Sequence, residues 1–252
     1  MIKKATPPVS PTLIYQLGVE TKFGVKDIEL YWGSTHSLMT ADSRVIVSST
    51  IFNSTELMPV GAAWRGVLNE LNPTDQLEPK RGLVADPRSI IWPVSRQLGD
   101  KIAHSEGKLI YPYISIINQI NTIAKNTPRD IVCVHTYPTG HKRGGYAAQE
   151  DYQHMMKALL SQLVLLESQD ALSQSTPCTE VILSTLAGTQ GDEIGKVMRD
   201  LIEGVRVWSH QLHHVRRYRI AFWDRDFQSQ FDTSSDEKSL HEKVTQRLRD
   251  VL

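Results

Sequence analysis

Apolar positions along the chain fall into two alternating signatures. RVIVSST at 44–50, DIVCVHT at 130–136 and TEVILSTL at 179–186 are short runs rich in β-branched residues, and YRIAFW at 218–223 reads as a last strand. Such runs suit strands covered on both faces. Elsewhere apolar residues recur at intervals of three and four: Ala62, Ala63, Val67, Leu68 and Leu71, then Tyr152, Met155, Met156, Leu159, Leu160, Leu163 and Leu166. Ile194, Val197, Met198, Leu201, Ile202, Val205 and Trp208 repeat the pattern, as do Leu240, Val244, Leu248 and Val251. That spacing gathers each set on one side of a helix and predicts four helices, the last charged and spanning 239–252.

Weaker signals fill the gaps. Segments 13–19 and 26–31 mix apolar and polar residues around Gly18 and Gly24, which predicts two exposed or edge strands forming a hairpin. Ile114, Ile117, Ile120 and Ile123 recur every third residue and predict a short helix that Pro128 ends. Residues 1–12 carry three prolines and read as a loose lead-in. Residues 73–110 hold Pro79, Pro87 and Pro93 around one candidate strand at 89–94 and read as an insertion. Strands alternating with amphipathic helices imply right-handed crossovers. The expected fold is therefore a three-layer α/β/α sandwich with a mostly parallel, mixed central sheet, a single domain over 13–252.

Composition narrows the partners. The 252 residues suit one α/β unit with an insertion, and 28 Lys plus Arg balance 28 Asp plus Glu. No net field draws the molecule to nucleic acid or an anionic membrane, so any anion site must be local. Cys133 and Cys178 lack the close pairing of a thiolate metal site. No apolar run approaches a membrane span, and prolines interrupt the start MIKKATPPVSPTLIYQLG. The expectation is a cytoplasmic protein with no metal and no resident cofactor.

In open α/β sheets ligands bind beyond the carboxyl ends of the strands, and three loops there carry chemistry. AGTQGD at 187–192 places Gly188, Thr189, Gln190 and Gly191 between a buried strand and a long helix. Glycines admit close backbone approach and a helix start favours phosphate, although a tight turn capped by Asp192 accounts for the same residues. YPTGHKRGGY at 137–146 supplies Lys142 and Arg143 as a local anion patch or a solvated loop. Asn53 and Ser54 follow the first central strand, as nucleoside contacts or as turn residues.

Other constellations read more plainly as structure. Cys133 and His135 would share one strand face, but the cysteine lies within an apolar run, as a packed thiol does. HQLHHVRR at 210–217 offers three histidines that suit a cationic helix C-terminus better than a metal site. Asp224 and Asp226 suit a solvated loop, and Trp64, Trp92, Trp208 and Trp223 suit packing.

Taken in order, these features resemble the macro domain family, whose members bind ADP-ribose and related nucleotides. ELYWGSTH, with Gly33 and Ser34, is similar to the family's strand ending in a Gly-Asp pair, and RVIVSSTIFNS to its strand leading into an Asn-bearing loop. IVCVHTYP and MMKALL, with His135 and Ala158-Leu159, resemble its later strand and helix, and STLAGTQGDEIGKVMRDLIEGV its final binding loop. The resemblance covers about residues 26–225. It implies phosphate contacts from Gly188, Thr189, Gln190 and Gly191, charge neutralisation by Lys142 and Arg143, and a nucleoside end lined by Gly33, Ser34, Asn53 and Ser54. Ser34 stands where the family often has an adenine-contacting Asp, and a single Asn53 replaces the Asn-rich loop of hydrolytic members. Those departures favour a non-catalytic binder of an NAD-derived signal, similar to the macro-type sensors of some Thoeris antiphage systems. An ADP-ribosyl or nucleotide hydrolase and a protein-interaction module docking onto an effector are the alternatives.

Overall fold

The computed structural model describes residues 10–51, 59–60, 63, 66, 67, 70, 113–118, 127–135, 149–173, 176–186, 194–222 and 246. Eight strands are present among them: β1 Thr12–Thr21, β2 Gly24–Trp32, β3 Ser43–Ile51, β4 Pro59–Val60, β5 Tyr113–Asn118, β6 Asp130–His135, β7 Glu180–Leu183 and β8 Arg217–Phe222. Two α-helices, α1 Gln149–Leu172 and α2 Ile194–Gln211, and a 3-10 helix at Thr35–Leu38 accompany them. The sheet runs β1-β2-β8-β7-β3-β6-β5, with β4 paired to the end of β3. β2, β8, β7, β3 and β6 are mutually parallel, while β1 and β5 close the two edges antiparallel. This is the expected mixed, mostly parallel sheet.

Register explains why β-branched runs became its centre. Leu30, Ile220, Leu183, Ile46 and Val132 stand opposite one another across five strands, and all are buried. Met156, Leu159, Leu163 and Leu166 of α1 and Met198, Leu201, Ile202, Val205 and Trp208 of α2 cover that row. Each such side chain contributes about 1.5–3 kcal/mol by leaving water. The helices lock together where the Trp208 indole N–H donates to Met156 O at 3.1 Å. Gly204 permits the contact, because a Cβ there would sit 2.5 Å from Met156 Cε.

The other sheet face is mixed. Val45, Val47, Ile131, Ile182 and Ala221 are buried, and beside them Arg217 and Arg219 pair with Glu29 and Glu180 at 2.8–3.7 Å. The 3-10 helix lies over this face: Arg219 Nη1 donates to Leu38 O, and Thr40 Oγ1 to Glu180 Oε2. Residues 63, 66, 67 and 70 are helical, and Gly66 approaches His36 so closely that a Cβ would meet Nδ1 at 2.5 Å. Helical structure thus covers both faces, giving three layers.

Charge is buried at the amino edge of the parallel strands. Arg44 Nε donates to Asp130 at 2.7 Å and its Nη2 to Asp170 of α1 at 2.5 Å, while Arg129 also pairs with Asp170. Lys26, buried, donates to Leu212 O just beyond α2. Burial lowers its pKa to about 8, against the attraction of Glu167 and with added repulsion from Arg216.

Three expectations change. Residues 113–118 form a strand, not a helix: Ile114, Ile116 and Ile117 are β-branched, and the free edge of β6 pairs with them from Tyr113 to Asn118. The ladder of β7 ends at Leu183, three residues early. Pro11, assigned to the lead-in, packs against Gly33, and β1 opens at Thr12. Residues 1–9, the insertion at 73–110 with its strand at 89–94, and the C-terminal helix apart from helical Gln246 lie outside the described residues. No helix among the described residues is long and apolar enough to cross a membrane.

Removing Asp170 leaves Arg44 and Arg129 short of a counter-charge, and breaking a buried pair costs about 3–5 kcal/mol. Asp170→Ala should lose that much in urea unfolding, and an unchanged midpoint would refute the assignment. Lys26 binds its proton less readily folded than unfolded, so between about pH 8 and the usual lysine value of 10.5 the unfolded chain holds more protons. Stability should therefore rise with pH across that window. Lys26→Met should remove that part of the slope, as read from unfolding at several pH values.

Candidate functional site

Because β2, β8, β7, β3 and β6 run parallel, all their carboxyl ends emerge on one edge. Along that edge β2 and β6 are four strand spacings apart, about 19 Å.

At β7 and β3 the chain leaves towards opposite faces. From β7 it passes through residues 187–193 to α2, which packs on the Leu183 face. From β3 it passes through residues 52–58, bounded by the Ile51 and Pro59 pair, to the helical residues that meet His36 on the other face. Adjacent strands whose connections diverge in this way open a crevice between them. Ser184 N still donates to Ile46 O at 3.0 Å, tying the chain just past β7 to the middle of β3 below that opening. Leu186, fully buried, then turns at a φ of 55°. A left-handed leucine costs about 1–3 kcal/mol and persists only where its surroundings impose it. Nothing in the residue type announces such a turn, which is why sequence reasoning passed over it.

Gly33 and Ser34 lie at the end of β2. Gly33 N donates to Phe222 O at 3.0 Å, tying the ends of β2 and β8. Its φ of 149° favours glycine, and a Cβ would approach Pro11 Cα to 2.9 Å. On that side the backbone of Gly33 is approached by the chain itself. Ser34 caps the 3-10 helix with its carbonyl, which accepts from Ser37 N, while its side chain makes no capping hydrogen bond. That half-buried hydroxyl is left for another partner. His36 follows, its pKa lowered by burial against the opposing pull of Glu70.

The remaining expected site residues, Asn53, Ser54, Lys142, Arg143, Gly188, Thr189, Gln190 and Gly191, lie outside the described residues. Their flanks are described: Asn53 and Ser54 sit between β3 and β4, the basic pair in the connection leaving β6, and the glycine pair between Leu186 and α2. The β7 connection is thus in the middle of the edge, with β3 and β6 on one side and β8 and β2 on the other.

Other candidates resolve into structure. α2 ends at Gln211, so His213 and His214 fall in the turn beyond it, where their backbone N–H groups donate to Glu167 at 2.8 and 2.5 Å. Among the described residues no group of three His, Cys, Asp or Glu is placed to hold a metal. Cys178 is buried, and burial pushes its thiol up to about 11, against the pull of Arg44. It stays protonated and unreactive near neutral pH. Cys133 stands opposite Val47 and Ser115 in the ladder, and His135 opposite Ser49 and Tyr113. Trp208 is core, as expected, whereas Trp64, Trp92, Trp223, Asp224 and Asp226 lie outside the described residues.

The sequence matches no protein-family model and no curated protein. In structure the chain is similar to a mutant of the Oceanobacillus iheyensis macrodomain, with 12% identity and a TM-score of 0.47 over 94% of this chain and 100% of that one. It is similar to the macrodomain of the same organism with ADP, at 10% identity and a TM-score of 0.44 over 94% and 100% of the two chains. A Trypanosoma brucei macrodomain aligns at 11% identity and a TM-score of 0.42 over 86% of this chain and 66% of that one.

Gly33→Ala combines a disfavoured φ with a clash against Pro11. It should cost about 2 kcal/mol without any ligand, lowering Tm by roughly 4–8 °C for a domain of this size. An unchanged Tm in the ligand-free protein would show that the approach to Pro11 does not constrain Gly33.

Proposed function

We propose that this chain binds an ADP-ribose-like or other NAD-derived nucleotide across the carboxyl edge of its sheet, as the sensing component of a signalling or antiphage defence pathway. The observation that supports it most is the divergence of the β3 and β7 connections to opposite faces, which opens a crevice where the loop AGTQGD begins. In this reading the main-chain N–H groups of Gly188, Gln190 and Gly191 and the Thr189 hydroxyl hold phosphate oxygens, aided by the positive end of α2. Lys142 and Arg143 approach from the β6 side and neutralise charge. Ser34, with Asn53 and Ser54, meets the nucleoside end, and Gly33 shapes the wall beside it.

Binding without turnover fits the residue set better than hydrolysis. Ser34 offers a hydroxyl where the resembling family often offers a carboxylate, and Asn53 stands without the further asparagines of hydrolytic members. Recognition by backbone amides requires only a backbone that can come close, which Gly188 and Gly191 permit.

A thermal-shift screen over ADP-ribose, NAD, cyclic ADP-ribose isomers and cyclic dinucleotides tests the reading. A true ligand at a hundredfold excess over its Kd should stabilise the chain by about 2.7 kcal/mol. Gly191→Trp should abolish that shift while unfolding stays cooperative. Product analysis on each hit should find the nucleotide intact, and turnover would assign the chain to the hydrolases. No shift with any nucleotide, alongside tight capture of a protein partner, would replace the proposal with an interaction module.

A further inference from the structure

We infer that the outer edge of β1 pairs antiparallel with the same edge of a second copy of this chain, joining two sheets into one. β1 is ten residues long and forms one end of the strand order. Its backbone pairs with β2 on one side. On the other side, among the described residues, no backbone hydrogen bond reaches residues 12–21. Alternate N–H and C=O groups of an antiparallel edge strand therefore point outward without partners among the described residues. Edges of this length are ordinarily blunted by Lys, Pro or a bulge in mid-strand. In TLIYQLGVET the only charge is Glu20, and the single irregularity lies between Leu13 and Tyr15, leaving residues 15–21 regular.

The side chains favour β1 itself as the partner. Tyr15, Leu17 and Val19 stand opposite Leu30, Ile28 and Lys26, on the sheet face that α2 covers, while Gln16, Gly18 and Glu20 stand on the other. In an antiparallel pair, residues directly opposite share a face, so a two-fold axis at Gly18 aligns the whole regular stretch with its copy. Leu17 then meets Val19 and Tyr15 meets Thr21, prolonging the apolar side of each sheet. On the opposite side Gln16 meets Glu20 twice, an amide facing a carboxylate, and Gly18 meets itself without steric conflict. No like charges stand opposite one another, and equal numbers of acidic and basic residues leave no long-range repulsion between copies. The interface is isologous and closed, which fits a dimer and not a fibre.

Sedimentation velocity on the full chain, from low to high micromolar concentration, should show a monomer–dimer equilibrium. Hydrogen exchange should show protection of residues 15–21 that grows with concentration. Gln16 is exposed, and within its own chain it stands opposite Glu29 and donates to Asp27 Oδ1 at 3.3 Å, so the unfolding midpoint of each variant at monomeric concentration separates an effect on the β1–β2 hairpin from one on the dimer. Gln16→Glu sets two carboxylates against Glu20 and should weaken the dimer about tenfold, whereas Gln16→Lys should tighten it by a similar factor. A monomer at every concentration overturns the inference. So does a dimer indifferent to both substitutions, or one weakened equally by both, since either would place the contact elsewhere or in another register.

Discussion

The buried guanidinium of Arg44 is the interaction on which the sheet's geometry depends. It takes Asp130 from the neighbouring strand and Asp170 from the end of α1, all three nearly excluded from water. Such a cluster adds little net stability compared with apolar packing, because desolvation offsets most of the Coulomb attraction. Its effect is on register: any slip of β3 against β6 or of α1 along the sheet would separate charges that have no water to turn to. With its amino half held between β6 and β7, β3 continues along β6 past the end of β7, and the two chain exits diverge there. The candidate site thus rests on an ion cluster at the far end of the same strand.

Most of this architecture was legible in the sequence because it depends on periodicity. The three β-branched runs and YRIAFW became β3, β6, β7 and β8, and the two strongest helical patterns became α1 and α2. The failure at 113–118 has a local cause. An apolar residue every third position fits a helix, but three isoleucines in four positions fit a strand equally well, and the unpaired edge of β6 decides between them. That edge exists only after the sheet has assembled, so a reading confined to the segment cannot weigh it. Leu186 escaped for a different reason: its positive φ is imposed by the packing that buries it, against its own preference. The buried charges at Lys26 and Arg44 were equally hidden, since their partners are 86 or more residues away in sequence.

The two ends of the parallel strands differ in how their polar groups are satisfied. At the amino edge, ion pairs and side-chain caps occupy them: Arg44 and Arg129 with their aspartates, Lys26 on Leu212 O, Glu167 on the amides of His213 and His214. Among the described residues the buried hydroxyl of Tyr218, near the start of β8, is left without a partner. The carboxyl edge instead holds Leu186 at a φ of 55°, the one non-glycine residue among those described with a positive φ. Sites that violate local preference while the surrounding framework stays consistent are where function tends to concentrate. The rigid end makes the strained end affordable.

Pro11 gives that strained end a chemical consequence at β2. The backbone of Gly33 is already approached by the chain, with no room for even a Cβ on that side. On the proposed reading a ligand at this strand meets Ser34, whose side chain makes no capping hydrogen bond. A carboxylate at that position would only accept hydrogen bonds and so would select for an amino group such as adenine carries. A hydroxyl both donates and accepts, and can serve a carbonyl edge as readily as an amino edge. On the proposed reading, recognition at the nucleoside end is correspondingly permissive.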